Sequence, residues 1–206
     1  MKFIAQTKTQ SIEERIYDLQ VEQLKHDELF HKDVVIMSLP DRVKHMALHN
    51  AKYIGYFIEA IDRSEVKRFE AVLTDAFIIT LATANTLNQD LGQSVAETGV
   101  SDGWLAAPAK GRASQIDHQA ADPFAFVKAY ACEAGGLAKV CESWDHLEDV
   151  PFLKLMRERN LGLFKLVTGE ATLRQLDLES MYLARLRVIE KRTIFHRTFT
   201  NQKNPH

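Results

Sequence analysis

The chain reads as an all-α protein, a helical bundle of about six helices. Apolar residues recur at spacings of three and four through most of its length, no stretch alternates with the period of a strand, and capping residues stand where the periodic segments begin. Nine glycines and five prolines in 206 residues are too few for a disordered or turn-rich β chain. An apolar content of 46% is enough to bury a core.

Ser11-Ile12-Glu13-Glu14 has the form of a capping box and opens a polar, amphipathic helix to about Phe30. A second helix starts near Ser38-Leu39-Pro40-Asp41, with Val43, Met46, Ala47, Ile54, Phe57, Ile58 and Ile61 on its apolar positions. A third begins after Arg63-Ser64 and runs to about Asn88, with Gly92 as its stop. Its second half is apolar nearly all round, which predicts burial on several sides. From Gly92 to Ala121 the period disappears, leaving either a functional loop or a linker. Asp122-Pro123 reads as N-cap and first residue of a fourth helix, to about Glu142. Val150-Pro151 opens a fifth, closed by Gly169, and Thr172 a sixth carrying Leu173, Leu176, Leu183, Leu186 and Ile189. The chain thus divides into a module over 1–91, a loop or linker over 92–121, and a second module over 122–206 packed on the first, or forms one domain.

Twenty-six basic against 28 acidic residues give a formal charge of -2, which argues against a polycation built for nucleic acid. Cys132 and Cys141 are too few for a disulfide framework and match no zinc pattern, as expected of a reducing compartment. Residues 1–10 lack the apolar core of a signal peptide, and the apolar stretch Ala71–Ala84 is too short to span a bilayer. The expectation is a cytoplasmic protein with no membrane partner.

His45, His49, Lys52, Tyr56 and Glu59 fall at helical spacing and share one face. Asp75 is the only formal charge between Glu70 and Asp90, and a carboxylate in such surroundings demands a cation, a metal or several donors. His45 and His49 have the spacing that lets two imidazoles share a metal, but no glutamate follows His45 and two histidines on a solvated face are common. His26-Asp27-Glu28 and His31 lie on a charged helix and read as surface. Between Leu183 and Lys203 six cations face Glu190 alone, interleaved with Phe195 and Phe199. That is a packed helix with a basic outer face, or a surface for phosphates. Lys110-Gly111-Arg112 could touch a phosphate, but no P-loop motif is present.

The segment from His49 to Leu91, 43 residues, resembles the core helical pair of the MazG-like all-α NTP pyrophosphohydrolases. Gly55, Glu59, Ala60 and Ile61 match the end of that family's first helix. Asp75 falls on the aspartate of its ExxD motif, and Leu81-Ala82-Thr83-Ala84-Asn85 on the apolar run that follows. The resemblance implies clustered acids holding Mg2+, which binds the triphosphate and activates water. Glu59 and Asp75 are then the catalytic and metal-ligating candidates, joined by Glu133 if a metal is bound.

This chain departs from the pattern at four of the five motif acids: Lys52, Tyr53 and Tyr56 stand in EExxE, and Val72 opens ExxD. Lys52 is therefore expected to reach Asp75 and neutralise it in place of the metal. His49, Lys52, Tyr53, Tyr56 and Asn85 become the ligand-binding candidates, the cation facing phosphate and the rings stacking on a base. In the second half, Tyr130 to Lys139 is similar to the family's "EEAGELAK" form and retains Glu133. Arg157-Glu158-Arg159-Asn160 stands for ExxD with Asn at the Asp position, so two tandem degenerate modules are a second organisation. The resemblance implies a homo-oligomer that binds a nucleotide or another small anion with weak or lost hydrolysis. The alternatives are an active metal-dependent pyrophosphohydrolase with a reorganised acid set, and a non-catalytic helical interaction protein.

Overall fold

The computed structural model describes residues 10–97 and 122–193, and among them every regular element is an α-helix. In chain order these are α1 Ile12–Phe30, α2 Lys32–Val35, α3 Leu39–Asp62, α4 Val66–Thr86, α5 Leu91–Ala96, α6 Ala125–Asp145, α7 Phe152–Leu173 and α8 Leu178–Glu190. The basic positions 194–206, the Lys110–Arg112 segment and most of the non-periodic stretch lie outside the described residues.

Helices α3, α4, α6 and α7 form a four-helix arrangement in which α3 packs on α4 and α6, and α7 on α6 and α4. Helix α1 lies across α4 and α5, and α8 lies against α4. Helix α4 is thus enclosed by α1, α3, α7 and α8, which is why thirteen of its residues, from Phe69 to Ala84, are buried. One core runs from Ile16 on α1 through Phe57, Phe77 and Leu137 to Tyr182 on α8. No described helix is long and apolar enough to cross a membrane.

The start signals work as the sequence implies. Ser11 Oγ accepts from Glu14 N at 3.2 Å while the Glu14 carboxylate accepts from Ser11 N at 2.9 Å, closing the capping box. Ser38 caps α3 by accepting from Asp41 N, with Pro40 in the first turn.

The breaks at Ser64 and near Asn88 fall where the sequence reading puts them, whereas the glycines read as stops do not serve as such. The four bundle helices end at Ser64, Asn88, Leu147 and Gln175, which hold left-handed φ of 55°, 49°, 55° and 57°. After each, the next amide returns to the helix: Glu65 N to Ala60 O, Gln89 N to Ala84 O, Glu148 N to Ser143 O and Leu176 N to Ala171 O, at 2.8–3.0 Å. These are Schellman closures made without glycine. Gly92, read as a stop, is instead buried inside α5, and Gly169 lies within α7, which runs on to Leu173. Thr172 accordingly belongs to α7, and α8 is opened by Asp177, whose carboxylate accepts from Ser180 N. Asp122 accepts from Phe124 N in the turn ahead of α6 rather than capping it directly.

Candidate functional site

A cavity of about 310 Å³ opens between α1, α2, α3, α4 and α8. Its basic lining is Arg42, Lys52, Arg185 and Arg192, its acidic lining Asp27 and Asp75, and three histidines, His31, His45 and His49, share the wall. Tyr53 and Asn85 also reach it. Of the residues singled out from sequence, His49, Lys52, Tyr53, Asp75 and Asn85 converge here, whereas Tyr56, Glu59 and Glu133 do not line it.

The half-buried Asp75 has a different partner from the one expected. Arg185 clasps Asp75 with two parallel bonds, Nε to Oδ1 at 2.6 Å and Nη2 to Oδ2 at 2.8 Å. Lys52 instead points its ammonium at His49 Nδ1, 3.0 Å away, and lies 4.7 Å over the Tyr53 ring. A guanidinium fork matches both carboxylate oxygens at once, which a lysine point charge cannot do. The partner therefore comes from α8, 110 residues along the chain.

Lys52, His49 and His45 form a hydrogen-bonded chain. An ammonium has no lone pair, so His49 Nδ1 accepts from Lys52, and His49 Nε2 carries the proton toward His45 Nε2 at 3.1 Å. Burial, with Lys52 and His45 nearby, pushes the His49 pKa down to about 4, so the ring is neutral at pH 7. Burial likewise lowers His31. The Tyr53 hydroxyl sits 3.3 Å from His49 Nδ1, and burial together with the Asp75 charge raises its pKa, so it remains a phenol.

The resemblance would assign Mg2+ to Glu59, Asp75 and Glu133, and these residues do not fit such a group. Glu59 is bonded to Arg68 between α3 and α4, Asp75 has both oxygens on Arg185, and Glu133 meets Arg159 at 3.2 Å between α6 and α7. Each acid is spent on an arginine, at three separate places. Around Glu133 the helices make room by reciprocity. A Cβ on Gly136 would stand 2.7 Å from the Arg159 side chain, and one on Gly162 would stand 2.7 Å from that of Glu133. Arg68 also lies 5.6 Å over the Tyr56 ring, so the two outward candidates of α3 belong to the α3–α4 surface.

Asn85 lines the cavity but is committed to the α1–α4 seam. Its amide donates to Gln20 O at 2.8 Å and its oxygen accepts from Gln20 Nε2 at 3.2 Å. Asn160, at the Asp position of the second-half pattern, is buried and donates to Thr80 O and Gln89 Oε1, bridging α7 to α4.

Sequence reasoning missed two parts of this region. Arg42 donates to Val35 O and Met37 O, holding the α2–α3 turn against the cavity. His26, read as surface, is fully buried, and neither ring nitrogen has a hydrogen-bond partner among the described residues. Leaving a buried donor unmade costs about 1–3 kcal/mol, so such a ring calls for an explanation. The signal was present: Ile16, Leu19, Gln23 and His26 step by three and four along the buried face of α1. No family model matches the chain, and no curated protein or solved structure matches it either.

Proposed function

We propose that this chain binds a nucleotide or another small phosphorylated anion in the α1–α4–α8 cavity, as a divergent relative of the MazG-like pyrophosphohydrolases that has lost their hydrolysis. The observation that carries the reading is the charge balance of the cavity wall. Four cations and two carboxylates line it, and with Arg185 and Asp75 paired to each other three cations, Arg42, Lys52 and Arg192, stand against Asp27 alone. The remaining field favours an anion, and the volume suits a small ligand. Lys52 and Arg192 supply cationic contacts, and the neutral His49 and the Tyr53 phenol supply polar ones.

Loss of hydrolysis is supported by the acid set. Three dispersed carboxylates, each on its own arginine, give a hard divalent cation no cluster to bind. The test is a thermal-shift and calorimetric titration with inorganic pyrophosphate and ATP, with and without Mg2+, alongside an assay of pyrophosphate release. Stabilisation that does not depend on Mg2+, weakens in Lys52→Ala and Arg192→Ala, and comes without turnover is expected. Absence of any shift at millimolar ligand rejects the binding reading, and Mg2+-dependent turnover rejects the loss of hydrolysis.

A further inference from the structure

We infer that His26, Asp27 and His31 form a binding site for a divalent transition-metal ion of the zinc class, set in the wall of the cavity. One ligand atom from each of the three residues lies within 4.8 Å of the others. The site needs no anion in the cavity, so it stands or falls separately from the reading above.

The backbone explains how residues five apart meet. Along an uninterrupted helix, positions i and i+5 point about 140° apart. Here α1 ends at Phe30 and His31 leaves helical geometry, with φ -130° and ψ 44°, before α2 begins. That break returns the His31 ring to within 5.5 Å of the His26 ring, centroid to centroid. Asp27 stands beside them, its Oδ1 3.7 Å from His26 Nδ1.

The chemistry favours a metal over a simple ion pair. A 3.7 Å separation is too long for a hydrogen bond, and among the described residues both nitrogens of the fully buried His26 ring are left without a hydrogen-bond partner. Two imidazoles and one carboxylate form a borderline donor set, suited to Zn2+, Co2+ or Fe2+ rather than to Mg2+. Ligand atoms on a tetrahedral zinc stand about 3.3 Å apart, so from separations of up to 4.8 Å the three groups must draw in by up to about 1.5 Å to share one ion. Gln23 Nε2 donates to Asp27 Oδ1 at 2.8 Å and fixes the carboxylate, the outer-shell support that metal sites use. Asp27 and His31 face the cavity, so a fourth coordination position opens toward whatever occupies it.

The test titrates the chelator-treated full chain with Zn2+ by calorimetry, and with Co2+ by its visible absorption. One equivalent of Zn2+ with a raised melting temperature, and a Co2+ spectrum of low-symmetry coordination, are expected. Asp27→Asn and His31→Ala, neither of which empties the core, should each weaken Zn2+ binding at least about tenfold. His26→Ala should do the same, checked by circular dichroism for retained fold. His45→Ala with His49→Ala should leave the affinity within about threefold. Failure of the wild-type chain to bind Zn2+ at 100 µM or below (about the weakest binding a resident site would show) overturns the assignment. So does binding that survives Asp27→Asn and His31→Ala but is lost in the His45, His49 double variant.

Discussion

Arg185 and Asp75 meet side-on, both carboxylate oxygens engaged, and so join α8, the last of the described helices, to the middle of α4. Their side chains keep 30% and 23% exposure, so the pair is only partly withdrawn from water. Arg185→Ala strands the carboxylate and should destabilise the fold by about 1–2 kcal/mol, less than the ~3–5 kcal/mol typical of a fully buried pair. Lys52→Ala should change stability by less than about 0.5 kcal/mol. Urea denaturation of both variants decides between the two cations as the partner of Asp75, and equal losses would restore Lys52 to that role.

Acidification should weaken the fold before carboxylates dominate. His49 has a folded pKa of about 4 against an unfolded value near 6.5, so between these limits the unfolded chain binds more protons. Stability therefore falls as pH drops from 6.5 toward 4, and His31, also lowered by burial, acts in the same direction. Melting temperatures from pH 7 to 5 should decline in the wild-type chain and decline less in His49→Gln. An unchanged slope in that variant would show that His49 is not the titrating group.

The bundle helices carry a removable backbone cost at their ends. Leu147 and Gln175 hold left-handed φ values that a Cβ disfavours by roughly 1–2 kcal/mol. Leu147 is 86% exposed, so little packing is lost with its side chain. Leu147→Gly should stabilise the protein by about 0.5–1 kcal/mol, as should Gln175→Gly, read from the midpoint of chemical denaturation. A loss in both would mean that these turns are held differently.

Glycines in helices should part company according to what surrounds them. Nothing lies within 4 Å of a Cβ built on Gly55, whereas one on Gly92 would stand 2.7 Å from the Glu13 backbone oxygen. Gly55→Ala should stabilise by up to about 1 kcal/mol through helix propensity. Gly92→Ala must force α5 from α1 and should cost about 1–3 kcal/mol. Thermal unfolding of the pair checks both signs.

Much of the scaffold was legible because local chemistry wrote it. Ser11 with Glu14 and Ser38 with Asp41 start helices through contacts three residues apart, and the all-round apolar α4 announces its own enclosure. Gly92 and Gly169 were misread as stops because the Schellman turns use Ser64, Asn88, Leu147 and Gln175 and leave those glycines inside helices. Helix α5 has only six residues, too few for a period to show. At the site, a lone Asp75 in an apolar run called for a cation, a metal or several donors, but sequence spacing cannot say which or from where. Lys52 was near in the chain and Arg185 near in space. His26 was lost because its helix is polar even on part of its buried face, where Gln20 and Gln23 stand among the apolar residues.

The mutual clearance at Gly136 and Gly162 has a bearing on how this protein can change over time. Each glycine vacates the volume that a charged side chain of the facing helix fills, so enlarging either one displaces Arg159 or Glu133 from its place. Both side chains end in flexible, partly exposed groups, so an alanine at either glycine moves a side chain and leaves the α6–α7 spacing in place.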